Sequence, residues 1–186
     1  TAGSGVIHQE YHSQPFTKSG GELEMLQLWV NLPAASKMAE PAYQTLGHAD
    51  IPRIALPDQA GELRLIAGEY QGVRGPAQTF TAVNLWDISL NPAATARLEV
   101  AEDHNTMIVV RRGEIEIGGQ SAVAGQWILL SQTGHLLNLS SSPGAEVVLF
   151  SGQPIDEPIA AYGPFVMNTH EQIQQAMQDY SAGRFG

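Results

Sequence analysis

Hydrophobic and polar positions alternate along most of this chain, and the alternation is broken at short intervals by glycine and proline. Leu63, Leu65 and Ala67 alternate with polar neighbours before Gly68. A longer run over residues 79–90 carries Phe80, Ala82, Trp86, Ile88 and Leu90 and ends at Asn91-Pro92. Ala96, Leu98 and Val100 then alternate with Thr95, Arg97 and Glu99. Residues 107–111 read as a buried strand, followed by a turn at Arg112-Gly113, a strand holding Ile115 and Ile117, and a second turn at Gly118-Gly119. Residues 127–130, 135–139 and 146–150 complete the set. Period two places successive side chains on opposite faces of a strand. Strands spaced about 8–12 residues apart with Gly/Pro punctuation predict an all-β sandwich or barrel.

Upstream, residues 23–32 show the same signature. Leu26, Leu28, Val30 and Leu32 share one face, Gln27, Trp29 and Asn31 share the other, and Pro33 stops the run. Residues 14–21 read as a loop on Pro15, Ser19, Gly20 and Gly21. Residues 33–60 carry Pro33, Pro41, Pro52 and Pro57 and read as an ordered connection between two domains, with a surface loop as the rival reading. Near the end, Thr169 and Gln172 form a Thr-x-x-Gln capping pattern. Ile173, Ala176, Met177 and Tyr180 follow at helical spacing, and Gly183 supplies a stop. One C-terminal helix is predicted there, its apolar stripe docked on a core.

The first dozen residues bring in chemistry. After a glycine bend at Gly3 and Gly5, an alternating run sets His8, Glu10 and His12 at period two. On a strand all three side chains share one face, where an imidazole and a carboxylate grip one metal ion. The competing reading is a surface strand with scattered polar residues. Two ligands do not complete a metal site.

Composition narrows the classes. The 186 residues include 43% hydrophobic ones, enough for a core, and no apolar run approaches the ~18 residues of a membrane span. The net charge of −10 and only nine Lys and Arg argue against direct nucleic-acid binding and against docking on an anionic membrane. Without cysteine there is no disulfide, thiolate zinc site or cysteine nucleophile, which is compatible with a cytoplasmic location. The sequon Asn138-Leu139-Ser140 reads as chance, and Thr1 follows either methionine removal or a cleavage. Residues 68–75 are glycine-rich but lack the order of a phosphate cradle, and no G-x-S-x-G elbow occurs. His48 and His170 are expected to face solvent, and Trp29, Trp86 and Trp127 to pack in the core.

The paired strands around Gly113 resemble a cupin, a double-stranded β-helix or jelly-roll barrel. The resemblance places metal ligands near Val100, Glu102 and Thr106, positions that do not form a ligand set here. His104 falls out of register, and His135 after Gly134 stands without partners, so neither is read as a ligand.

Three blocks carry a more specific resemblance. The first is Thr1-Ala2-Gly3-x-Gly5-x-x-His8-x-Glu10. The second runs through Leu26-Gln27-Leu28-Trp29-Val30-Asn31-Leu32-Pro33 to Glu40-Pro41-x-Tyr43-Gln44. The third runs from Gly152-Gln153-Pro154-Ile155-x-Glu157-Pro158-Ile159 to Gly163-Pro164-Phe165-Val166-Met167-Asn168-Thr169. Together they are similar to the pirin family, which consists of tandem cupins, or bicupins. The resemblance implies that residues 1–32 are the terminal strands of a first cupin, 33–60 the connection, 61–152 the second barrel and 153–186 a tail with the helix. In the family the first barrel holds one metal ion, usually iron, through a His-x-His pair and a later His-x-Glu. His8 and Glu10 match the later half, and no residue of this chain matches the earlier pair. The resemblance therefore implies a C-terminal piece lacking most of the first cupin.

The resemblance implies quercetin 2,3-dioxygenase-like oxidoreductase activity on a small aromatic substrate such as a flavonol, with iron as cofactor. The alternative is a non-enzymatic module that regulates transcription factors or binds metabolic enzymes. The chain by itself is expected to show neither strong metal binding nor turnover. Its exposed strand edges are expected to pair with a retained N-terminal fragment or with a second copy.

Overall fold

The computed structural model describes residues 1–185, which divide into two compact units. One runs from Gln44 to Pro154; the other joins Thr1–Tyr43 to the C-terminal segment from Ile155.

The Gln44–Pro154 unit is built from strands β1 (Arg53–Leu56), β2 (Gly61–Ala67), β3 (Glu69–Tyr70), β4 (Val73–Arg74), β5 (Val83–Leu90) and β6 (Ala94–Glu99), then β7 (Asn105–Ile117), β8 (Gln120–Val123), β9 (Trp127–Leu129), β10 (Leu136–Ser141) and β11 (Ala145–Gly152). Nine of them join in one nearly closed antiparallel sheet of order β1-β2-β5-β11-β7-β10-β6, with β8 and β9 also paired to β7. The strand β7 is the hinge of this arrangement. Its first half pairs with β11 and β9, and its second half pairs with β8 and meets β10. Inward positions from both halves share one core that includes Leu63, Leu65, Trp86, Ile88, Leu98, Ile108, Ile115, Leu139 and Leu149. The period-two pattern in the sequence is thus the inward-outward alternation of a barrel wall.

Arg112-Gly113 is not the turn that the sequence predicts. It is a bend within the single strand β7, where the register against β11 shifts between Glu146 and Val147, so that Arg111 is the extra residue of a bulge. Gly113 takes φ +75, and a Cβ there would lie 2.1 Å from the carbonyl oxygen of Gly144. The same glycine signal serves a turn and a bulge. Here the strand continues because residues on both sides find ladder partners. At Gly118-Gly119 the reading holds: positive φ at both residues closes the two-residue hairpin between β7 and β8.

The outer face of the sheet carries an ionic ladder. Arg64 on β2 and Arg111 on β7 each donate to Asp87 on β5 at 2.9 Å. Arg111 also reaches Glu146 on β11 at 2.9 Å, and Arg112 joins the same carboxylate at 2.8 Å.

In the other unit, α1 (Gln14–Ser19) occupies the predicted loop. Ser13 caps it by accepting from the Phe16 N–H, and Pro15 lies in its first turn. Among the described residues, 1–13 and 20–33 carry no strand. Alternation fixes which side chains would share a face, but a strand also needs a hydrogen-bonded neighbour, and no ladder joins these segments. Leu26, Val30 and Trp29 are accordingly exposed. Residues Ala34–Ser36, His48–Asp50 and Pro57–Gln59 form short 3-10 turns within the predicted connection, and β1 also falls inside it.

The tail forms a hairpin of β12 (Ala160–Tyr162) and β13 (Phe165–Met167), followed by α2 (His170–Ser181). The Thr169–Gln172 capping box forms as predicted. Ile173 is buried on the helix stripe, whereas Met177 and Tyr180 remain substantially exposed, so the stripe docks only in part.

Candidate functional site

His8 and Glu10 lie in the irregular segment between the bend at Gly3 and α1, and both side chains are exposed. The bend itself is specified by packing. Gly3 takes φ +50, and a Cβ there would sit 2.0 Å from the Ala39 carbonyl oxygen, where Ser4 N–H donates at 2.9 Å. Neither His8 nor Glu10 is hydrogen-bonded to another described residue, so the imidazole nitrogens and carboxylate oxygens are free to act as ligands. His12 stacks at 5.4 Å on Phe16 of α1. Among the described residues, no group of three or more His, Cys, Asp or Glu gathers where it would hold a metal ion. His8 and Glu10 are the right donor types for a first-row metal but do not complete a cage among these residues.

A second polar cluster lies in the same unit and accounts for the conspicuous tail sequence. The Glu157 carboxylate accepts from the Ala34 N–H at 2.6 Å and from the Asn168 amide at 3.1 Å. Asn168 also donates to the Pro158 carbonyl at 2.9 Å. Buried Lys37 donates to the Asn31 side chain at 2.5 Å. Burial pushes the Lys37 ammonium below its ordinary value, partly offset by the Glu157 charge. Glu157, Asn168 and Thr169 therefore hold the tail hairpin and helix in place, a structural task for a stretch that is distinctive in sequence.

Within the barrel, a cavity of about 250 Å³ opens between the start of β7 and the segment leading into β10. Val100, Thr106 and Ile117 are its buried members, and Ser131, Thr133 and Leu136 form an exposed rim. Of the positions where the cupin register expects ligands, Val100 is apolar and Thr106 is a buried hydroxyl. Glu102 lies outside the cavity, its carboxylate 3.9 Å from exposed His135. His104 lines the cavity, and its Nδ1 lies 3.1 Å from the Ser151 hydroxyl. Ser151 carries no local signal in the sequence, because its partnership spans 47 positions. His48 sits 2.8 Å from the Arg53 guanidinium at the surface, and His170 is exposed. Of the three tryptophans expected in the core, only Trp86 is there. Trp29 lacks a ladder, and on β9 it is Ile128 that faces the core, which turns Trp127 outward.

Residues 85–186 match the family described as the pirin C-terminal cupin domain. A Pseudomonas aeruginosa protein named "Putative quercetin 2,3-dioxygenase" is 46% identical over 185 residues, covering all of this chain and 65% of the relative. Pirin-like protein 2 of Arabidopsis thaliana is 36% identical over 196 residues, covering all of this chain and 58% of the relative. A crystal structure of quercetin 2,3-dioxygenase from Acinetobacter baumannii superimposes with a TM-score of 0.95 at 42% identity, over 100% of this chain and 65% of that one. The chain thus spans under two thirds of the length of these relatives. A barrel matched to the pirin cupin, with relatives aligned along the residues on either side of it, means that this chain belongs to the pirin family.

Proposed function

We propose that this chain forms the C-terminal part of a metal-dependent pirin with quercetin 2,3-dioxygenase-type activity. In the complete protein, residues 1–32 supply the last strands of a first cupin barrel, and His8 and Glu10 supply two donors to one iron ion. The observation that carries this reading is the whole-chain match, at 42% identity and a TM-score of 0.95, to the quercetin 2,3-dioxygenase of Acinetobacter baumannii. The exposed, unengaged state of both side chains supports it as well. A His-x-His pair in the rest of the protein completes the donor set. Iron, when bound, supplies the redox-active centre at which a flavonol and dioxygen react. His8 would hold it through a ring nitrogen and Glu10 through its carboxylate, so that both would fix the ion's position.

The test is oxygen uptake by the complete, iron-loaded protein with quercetin, with isotopic dioxygen to follow both oxygen atoms into product. Turnover that disappears in His8→Ala and Glu10→Ala supports the reading. A protein that holds iron but consumes no oxygen with a flavonol is instead the non-enzymatic regulatory module.

A further inference from the structure

We propose that the cavity of the Gln44–Pro154 barrel is a binding site for a small, uncharged molecule that carries a carbonyl oxygen on a compact apolar ring. Thr106 Oγ1 donates to Ser151 Oγ at 3.1 Å, and both residues are about 2% exposed. In the proposed site the Ser151 hydroxyl, having accepted from Thr106, donates in turn to His104 Nδ1, 3.1 Å away. A neutral imidazole that accepts at Nδ1 carries its proton at Nε2. In that arrangement the relay Thr106–Ser151–His104 holds one tautomer, with Nε2–H as a donor on a residue that lines the cavity. No described residue accepts from that nitrogen.

The rest of the lining selects the ligand. Val100, Ile117, Leu130 and Leu137 supply apolar surface, and no lysine or arginine lines the cavity. An anion would lose its hydration there without a cation to replace it, in a chain of net charge −10. A neutral acceptor meets the His104 donor without that cost. The volume of about 250 Å³ lies below the ~300–1,000 Å³ of sites for drug-sized ligands, which favours a single ring. Access runs over the exposed rim at Ser131, Thr133 and Leu136. The site is independent of His8 and Glu10, so it stands or falls apart from the proposed metal chemistry.

The probe is acetophenone, with ethylbenzene and benzoate as controls, added to the intact chain labelled with ¹⁵N at histidine. Long-range proton–nitrogen spectra should show His104 as the Nε2–H tautomer in the free protein. Acetophenone should shift its Nε2 signal saturably and bind at least about fivefold more tightly than either control, the discrimination of one hydrogen bond. Ser151→Ala should release the tautomer and weaken acetophenone by a similar factor. His104→Phe should abolish the preference over ethylbenzene. An Nδ1–H tautomer, equal affinity for acetophenone and ethylbenzene, or a His104 signal that acetophenone leaves unmoved would each overturn the proposal. The comparison among ligands requires no variant, so a misfolded substitution does not blunt it.

Discussion

Replacing Asp87 with alanine tests whether the outer ionic ladder holds the barrel wall together. Asp87 receives Arg64 and Arg111 at 2.9 Å each, and its side chain is only 12% exposed. Hydrogen bonds to charged groups contribute about 1.5–3 kcal/mol each, which bounds the loss of two. Arg111 keeps Glu146 as a partner. Arg64 does not fare as well: its Nε is already buried without an acceptor, and its carboxylate contact is to Asp87. The cost is dominated by that orphaned guanidinium, and we expect about 2–4 kcal/mol. The assay is urea unfolding followed by the fluorescence of buried Trp86, in a background where exposed Trp29 and Trp127 are phenylalanine. Pairing Asp87→Ala with Arg64→Met should recover about half the loss, because the double variant buries no unpaired cation. A single-variant loss under about 0.5 kcal/mol, as for ordinary surface ion pairs, would refute the reasoning.

Other perturbations address the bulge, the core and the tail. Gly113→Ala should cost about 2 kcal/mol or more in urea unfolding, through both the left-handed φ and the clash with Gly144, whereas Gly125→Ala, with φ +86 but open space around it, should cost about 1 kcal/mol. Burial, reinforced by the Glu99 charge, raises the Tyr70 phenol above its ordinary 10.0. The resulting stabilisation is fully present below pH 10 and is lost as pH rises through the folded value, so Tyr70→Phe should flatten the alkaline slope of stability measured by urea midpoints. Thr169→Ala removes half of the capping box and should cost about 1 kcal/mol, read as faster amide exchange in the first turns of α2.

Much of the barrel is legible because its wall is amphipathic. Leu63, Leu65, Trp86, Ile88 and Leu98 fall inward where period two puts them. What the pattern lacks is any statement of partners. Residues 23–32 alternate as well as β2 does, yet without a paired neighbour they form no strand among the described residues. Trp127 alternates with Ile128, and nothing local says which of the two meets the core. The six-residue α1 is too short for periodicity to reveal, and its signal is local, in Ser13 and Pro15. At the candidate sites the difference is sharper. His8 and Glu10 are visible as a spaced pair of donor types. The His104–Ser151–Thr106 relay is invisible, because β11 brings Ser151 to β7 only through tertiary pairing.

The proposed role of His8 and Glu10 is to hold one iron ion in the complete protein. Its most direct test is an anomalous difference map, collected at the iron edge, from crystals of that complete protein. The proposed site should give one peak within bonding distance of a His8 ring nitrogen and a Glu10 carboxylate oxygen. Iron bound elsewhere, with these two side chains turned away from it, would rule that site out.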